Sequence, residues 1–128
     1  MKVLVCGDRN WTDEAPIRER LSKLPKDTII LEGGARGADT LARHAAEYLG
    51  LKVIEFPADW KKHGRAAGPI RNREMLDQKP DLVVAFHSNL AASKGTADTV
   101  REAKKRGIPV EVVTGHESPP GTDLTKPG

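Results

Sequence analysis

The sequence predicts an α/β fold: a single Rossmann-like, doubly wound sheet of five parallel strands. Short apolar runs alternate along the chain with segments in which apolar residues recur every three or four positions, as when strands alternate with helices. The predicted strands are nearly free of polar interruptions, which is typical of a parallel sheet covered on both faces. Five such units within about 113 residues fit a small sheet. We predict the strand order 3-2-1-4-5, with the first and fourth strands at the switch point.

The first half of the chain contains three apolar runs that are predicted strands: Lys2–Cys6, Thr28–Leu31 and Lys52–Phe56. Two helices are predicted between them. The first is capped by Thr12 or Asp13 and carries Pro16 in its first turn, where proline is tolerated. The second spans 38–49, and Gly50 ends it.

The second half begins with a polar, cationic loop over 57–68 and contains two further predicted strands: Asp81–Phe86 and Ile108–Val113. The first of these is almost entirely apolar, so we place it centrally in the sheet. A helix is predicted over about 69–78, with Pro69 at its first position. Another helix spans 95–106 and ends at Gly107.

Length and composition indicate one soluble, cytoplasmic domain. Of the 128 residues, 38% are hydrophobic and 30% are charged, which fits a globular protein. No apolar run approaches the roughly 20 residues that span a membrane, and the start of the chain turns polar too soon for a signal peptide. We therefore expect no membrane partner. The predicted domain covers 1–113, and the proline- and glycine-rich residues 114–128 form a predicted flexible tail.

Cysteine and histidine content argues against a metal centre. The single cysteine, Cys6, excludes an intrachain disulfide and a cysteine-based metal site. The four histidines show no spacing typical of metal ligands. We expect no metal ligands, and we expect Cys6 to be a buried, unreactive thiol because it lies in a predicted strand.

Candidate ligand-binding residues follow the carboxyl ends of the predicted strands, where α/β sheets bind their ligands. The strongest pattern lies between the second strand and its helix and contains seven candidates: Gly33, Gly34, Ala35, Arg36, Gly37, Ala38 and Asp39. The free N–H groups of a helix N-terminus can hold a phosphate, and Arg36 can add a charged contact. Asp39 would repel an anion, but it can cap the helix or bind a ribose hydroxyl. The alternative is an ordinary turn that needs glycine for its geometry.

Three other segments contribute candidates. The first strand is followed by Gly7, Asp8, Arg9 and Trp11, whose indole either stacks on a base or packs against the first helix. The last predicted helix opens with Lys94, Gly95 and Thr96, which either bind part of the ligand or simply cap the helix. The middle of the chain adds Arg65, Arg71 and Asn72.

Two common phosphate-binding motifs are excluded. The chain has no Walker sequence. Its glycine cluster follows the second strand, whereas a dinucleotide-binding fingerprint follows the first. An ordinary NAD-dependent dehydrogenase is therefore disfavoured.

Four motifs occur in order within 1–113: CGDRNW, EGGARGADTLA, GPIRNREML and KGTADTVREAKKRGIPV. Together they resemble the SLOG superfamily, the Rossmann-like group of the DNA-processing protein DprA and the LOG cytokinin-activating enzymes, and most closely its YspA-like clade. The resemblance implies a nucleotide or an ADP-ribose-like ligand held between Gly33–Asp39 and Lys94–Thr96, with Arg71 and Asn72 nearby. It also implies a homodimer. Beyond such a nucleotide, we assign no cofactor.

The resemblance leaves three functions open. Our leading hypothesis is a nucleotide-binding sensor, carrier or processing enzyme. LOG enzymes hydrolyse the N-glycosidic bond of nucleoside 5′-monophosphates; Arg71 matches one of their catalytic residues, but Thr99 replaces their catalytic glutamate and only Asp98 lies near as a candidate substitute. DprA-like proteins bind single-stranded DNA and share the string Arg71–Arg73. The cationic run over 61–73 fits DNA binding, whereas the scarcity of aromatic residues does not.

Overall fold

Residues 1–114, which the computed structural model describes, form one five-stranded sheet with helices on both faces. The strands are β1 Lys2–Gly7, β2 Ile29–Glu32, β3 Lys52–Glu55, β4 Leu82–Phe86 and β5 Val110–Val113. Their order is β3-β2-β1-β4-β5, and every neighbouring pair is parallel. The predicted fold class and strand order are therefore confirmed. The predicted tail, beyond Thr114, lies outside the described residues.

Five α-helices connect the strands: α1 Glu14–Ser22, α2 Ala38–Leu49, α3 Trp60–His63, α4 Ala67–Asp77 and α5 Gly95–Lys105. Of the two caps proposed for α1, the structure uses Asp13, whose carboxylate accepts the Ala15 N–H. The segment predicted as a loop contains the single turn α3, capped by Asp59. Helix α4 begins two residues before Pro69, because a proline in the first turn removes no helical hydrogen bond.

The core has two layers, one on each face of the sheet. Successive strand residues point to opposite faces, so Val3 and Val5 pack under α1 and α2, whereas Leu4 packs under α4 and α5. Strands β1 and β4 lie in the middle and are buried along most of their length. Their carboxyl ends, at Gly7 and Phe86, are paired in register and mark the switch point of the sheet.

Trp11 belongs to the core layer beneath α1 and α2. Its side chain is 1% exposed, and its ring meets the edge of Phe86 with 5.8 Å between centroids. The indole Nε1–H donates to the Asp13 carbonyl at 2.7 Å. Of the two alternatives for Trp11, the structure therefore shows packing in the core, and no face of the indole is open for a base to stack on.

Helix α2 is bounded by two glycines with almost the same φ. Gly50 (φ 76°) ends the helix in the left-handed conformation, and an added Cβ would meet nothing within 4 Å. Gly37 (φ 77°, ψ −127°) precedes the helix in the mirror image of the β region, and an added Cβ would overlap the backbone of Arg9. An alanine at Gly50 would therefore meet left-handed strain alone, whereas an alanine at Gly37 would meet both a backbone conformation reserved for glycine and a steric overlap.

We predict that Gly50→Ala lowers the free energy of unfolding by about 1–2 kcal/mol, the cost of a left-handed alanine. Gly37→Ala should cost clearly more, because the loop after β1 must also move away. Urea unfolding of both variants measures the difference. Equal losses would mean that the contact between the Arg9 backbone and Gly37 contributes nothing to stability.

Candidate functional site

A cavity of about 350 Å³ opens at the carboxyl edge of the sheet, beside the switch point of β1 and β4. It is built by the loops after β1, β2 and β4 together with the middle of α4 and the first turns of α5. Predicted site residues that line it are Gly7, Asp8, Arg9, Ala35, Asp39, Arg71, Asn72, Lys94, Gly95 and Thr96. The structure therefore brings together residues from all four segments singled out in the sequence.

Other predicted site residues do not line this cavity: Trp11, Gly33, Gly34, Arg36, Gly37, Ala38, Arg65 and Asp98. Arg36 and Arg65 are exposed elsewhere on the surface, and Ala38 is fully buried. A Cβ on Gly33 would overlap the guanidinium of Arg71. The absence of a side chain at this glycine accommodates a neighbouring part of the chain rather than the approach of a ligand.

The loop between β2 and α2 already holds an anion, the carboxylate of Asp39. Asp39 Oδ2 accepts the N–H groups of Gly33 at 3.1 Å and Ala35 at 3.3 Å. The Gly34 N–H donates to Glu32 Oε1 at 2.6 Å, and the Ala38 N–H donates to the Asp8 carbonyl at 3.0 Å. A phosphate at the predicted Gly33–Ala38 cradle would have to displace these acceptors.

Arg71 connects α4 to this loop. Its Nη1 donates to the Gly33 carbonyl at 2.6 Å, and its Nε donates to Asn72 Oδ1 at 2.9 Å. The same guanidinium lines a second, smaller cavity of about 190 Å³, whose wall includes Lys62 and His63. Arg71 thus has a structural task in addition to the ligand contact predicted from sequence.

Asp98 lies in the contact between α4 and α5. Its carboxylate accepts bonds from Asn72 at 3.4 Å, Arg73 at 3.3 Å and Arg101 at 3.2 Å. Thr99, at the position of the LOG glutamate, is buried and donates its hydroxyl to the Gly95 carbonyl at 3.3 Å. Neither side chain places a carboxylate in the cavity.

The N-terminus of α5 is a helix start that opens into the cavity. The first N–H groups of a helix have no helical acceptor, and here the Thr96 N–H donates to Ser93 Oγ at 3.0 Å. A Cβ on Gly95 would meet nothing within 4 Å, so the backbone is open on this side. Lys94 stands at the helix cap, and its charge adds to the helix dipole.

His87 lines the cavity and was missing from the sequence-predicted site. It directly follows β4, at the switch point, and its Nδ1 accepts the Asn89 N–H at 3.0 Å. The rule that ligands bind beyond the strands' carboxyl ends indicates this position. Apart from this rule, nothing in the sequence distinguishes His87 from an ordinary histidine in a polar loop.

Burial dominates the acid–base properties of the site. It raises the pKa of Asp39 to about 6, against the N–H donors and Arg71, which favour the carboxylate. Burial also raises the pKa of Glu32 to about 7, and nearby Asp39 and Glu55 raise it further. The Cys6 thiol has its pKa raised mainly by burial, so it stays protonated, as its predicted lack of reactivity requires.

Two negative findings apply to the part of the chain that the structure describes. Within 1–114, no group of histidine, cysteine and acidic side chains is arranged to hold a metal ion. No helix in the same range is long and apolar enough to cross a bilayer.

Two sequence comparisons relate the chain to known proteins. The model of a family described as "YspA, cpYpsA-related SLOG family" matches residues 1–63. The Gene 61 protein of Mycobacterium phage D29 is 37% identical over 118 residues, covering 85% of this chain and 93% of that protein. The similarity to the phage protein therefore extends well beyond the range matched by the family model.

A structural comparison finds the X-ray structure of DNA processing protein A (DprA) from Streptococcus pneumoniae. The TM-score is 0.74 at 20% sequence identity, and the match covers 97% of this chain. It covers 52% of the DprA chain, so the present chain spans about half of that protein's length. At this identity the likeness concerns the fold, and it agrees with the Rossmann-like architecture.

We predict that Glu32→Gln stabilises the protein at pH 8 but not at pH 4.5. Glu32 is fully buried, and its Oε2 has no hydrogen-bond partner among the described residues. Because its pKa in the folded protein is raised from 4.5 to about 7, the folded state retains the proton better than the unfolded state. Stability therefore falls as the pH rises through this range.

Glutamine keeps an acceptor for the Gly34 N–H and carries no charge, so a gain of about 1–3 kcal/mol is expected at pH 8. Chemical unfolding at both pH values measures it. The exposed Glu47→Gln on α2 is the control and should show no such change. A pH-independent effect of Glu32→Gln would contradict the burial of an ionisable carboxyl at this position.

Proposed function

Because the chain belongs to the YspA, cpYpsA-related SLOG family, we propose that it binds a nucleotide or a nucleotide-derived phosphorylated ligand in the cavity at the sheet's carboxyl edge. The phosphate lies at the N-terminus of α5, and the protein acts as a sensor, carrier or processing enzyme for that ligand. Suitable ligands are mononucleotides and ADP-ribose-like molecules.

The observation that carries the proposal is the open N-terminus of α5 in a cavity lined by three basic and two acidic side chains. Arg9, Arg71 and Lys94 line the cavity together with Gly95. The N–H groups of a helix N-terminus, the helix dipole and basic side chains at one point make an anion site. The volume of about 350 Å³ lies within the usual range for small-molecule sites.

A ligand screen tests the proposal. Thermal unfolding is followed with the four ribonucleoside 5′-monophosphates, NAD, ADP-ribose and a short single-stranded DNA, alongside native mass spectrometry of the purified protein. We expect a mononucleotide or ADP-ribose to raise the Tm, since a ligand at 100 times its Kd stabilises a protein by about 2.7 kcal/mol. A Tm unchanged by all the small ligands would contradict the proposal.

We predict that Gly95→Val weakens binding of the best mononucleotide by about tenfold or more, which corresponds to losing one charge-assisted contact. The valine side chain would enter the open space above the α5 N-terminus, and the fold offers it room. Isothermal titration calorimetry gives the two affinities.

Ala97→Val is the matched control. Ala97 lies in the same turn of α5 but outside the cavity wall. The Ala97→Val variant should therefore bind the mononucleotide with the affinity of the unaltered protein. Thermal unfolding checks that both variants fold. Tight binding by Gly95→Val would move the phosphate away from α5.

LOG-type N-glycosidic cleavage is a second candidate function. Such hydrolysis needs a placed carboxylate, but Thr99 is buried and Asp98 is engaged by Asn72, Arg73 and Arg101. Asp8 and Asp39 are the carboxylates that line the cavity. Release of free base over hours from a bound nucleoside 5′-monophosphate would support this activity.

Binding of single-stranded DNA is the third candidate. Lys61, Lys62 and Arg65 are exposed beside the smaller cavity that Arg71 also lines. The structural neighbour DprA is by its name a DNA processing protein. Stabilisation by DNA alone, lost at high salt, would favour this function, because phosphate contacts release counterions. The predicted homodimer stays a prediction.

A further inference from the structure

We infer that Asp39 selects a ribose: its unoccupied oxygen accepts a hydrogen bond from a 2′- or 3′-hydroxyl of the ligand. The inference rests on the proposed function and adds two statements to it. The loop between β2 and α2 recognises the sugar rather than the phosphate, and the preferred ligands are ribonucleotides rather than deoxyribonucleotides.

The two oxygens of Asp39 have different surroundings. Oδ2 accepts the N–H groups of Gly33 and Ala35. Oδ1 has no hydrogen-bond donor within the described part of the chain, although the residue is only 7% exposed and lines the cavity. Oδ1 is not among the fully buried side-chain atoms without a partner, so it is open to the cavity, and it requires a donor when a ligand displaces water there.

The chemistry of a carboxylate restricts that partner to a donor. An ionised carboxylate only accepts hydrogen bonds and repels phosphate. A hydroxyl donor forms a strong, charge-assisted bond with it. The two backbone N–H groups hold the carboxylate in one orientation, so little freedom is lost when the ligand binds.

The carboxylates of the cavity and its open helix N-terminus lie on different elements, which orients the ligand, although Arg9 and Arg71 lie on the carboxylate side. The acceptors Asp8 and Asp39 come from the β1 and β2 loop ends, whereas Lys94 and the open backbone at Gly95 come from the β4 side of the switch point. A ribose 5-phosphate unit carries both kinds of group, a phosphate and two hydroxyls. Its phosphate reaches α5, and its hydroxyls turn toward Asp39.

Paired ligands test the inference on the unaltered protein. Calorimetry compares adenosine 5′-monophosphate with its 2′-deoxy and 3′-deoxy forms, and ribose 5-phosphate with 2-deoxyribose 5-phosphate. At least one deoxy form of the nucleotide should bind about tenfold or more weakly, as expected for loss of a hydrogen bond to a charged group. If the best base in the ligand screen differs, the same series is made with that base.

The variant Asp39→Asn assigns the discrimination to this residue. Asparagine keeps an acceptor for the Gly33 and Ala35 N–H groups but removes the charge. The ratio of ribo to deoxy affinity should fall toward one, whereas the advantage of a nucleotide over its nucleoside is retained. Gly95→Val should instead reduce the advantage of a nucleotide over its nucleoside and leave the ratio of ribo to deoxy affinity unchanged. Glu47→Gln, at an exposed carboxylate on the same helix α2 but outside the cavity wall, is the control and should leave the ribo/deoxy ratio unchanged.

The outcomes separate the inference from the proposed function. Equal affinity for ribo and both deoxy forms overturns the inference and leaves nucleotide binding intact. A ratio unchanged in Asp39→Asn also overturns it. Failure of every nucleotide to bind the unaltered protein overturns the proposed function itself. If Asp39→Asn does not fold, the comparison on the unaltered protein decides the sugar preference.

Discussion

The carboxylate of Asp39, buried in the first turn of α2, is the constraint around which the carboxyl edge of the sheet is organised. A buried charge must be hydrogen-bonded, and here the loop after β2 folds back so that Gly33 and Ala35 donate to it. The Gly33 carbonyl on the same loop then accepts from Arg71, which ties α4 to the loop. Strand end, helix start and neighbouring helix are held by one connected set of polar contacts, so the site is fixed without a ligand.

This organisation determines what each glycine does. Gly37 and Gly7 allow parts of the chain to approach: a side chain at either would overlap the backbone of the facing segment, Arg9 or Phe86. At Gly95 the space is empty instead. The glycine-rich loop, which looks from sequence like the phosphate site, is therefore closed by the protein's own contacts. The start of α5, with a weaker sequence pattern, is the open one.

Much of the fold follows from the sequence, because strand periodicity and helix periodicity are properties of neighbouring residues. The five strands were predictable for that reason, whereas their order followed from the choice of a Rossmann-like, doubly wound arrangement. The turn α3 was not, since a helix of four residues is too short to show a periodicity. The four segments of the cavity were also predictable, from the strand ends. For Asp39 the sequence left open repulsion of an anion, capping of the helix and binding of a ribose hydroxyl. Its contacts with the N–H groups of Gly33 and Ala35 depend on the loop conformation, which no local pattern encodes.

The acidic groups beneath the loop argue that this edge is shaped by function rather than by stability. Glu32 is fully buried with an unpartnered oxygen, and its pKa is raised mainly by burial, with Asp39 and Glu55 nearby. Such a residue lowers stability near neutral pH, because its charge is poorly compensated. Polar groups that violate the rules of a well-packed interior concentrate at working sites. Here Glu32 accepts the Gly34 N–H within the loop between β2 and α2. The destabilising carboxyl therefore contacts the same loop to which we assign recognition of the sugar.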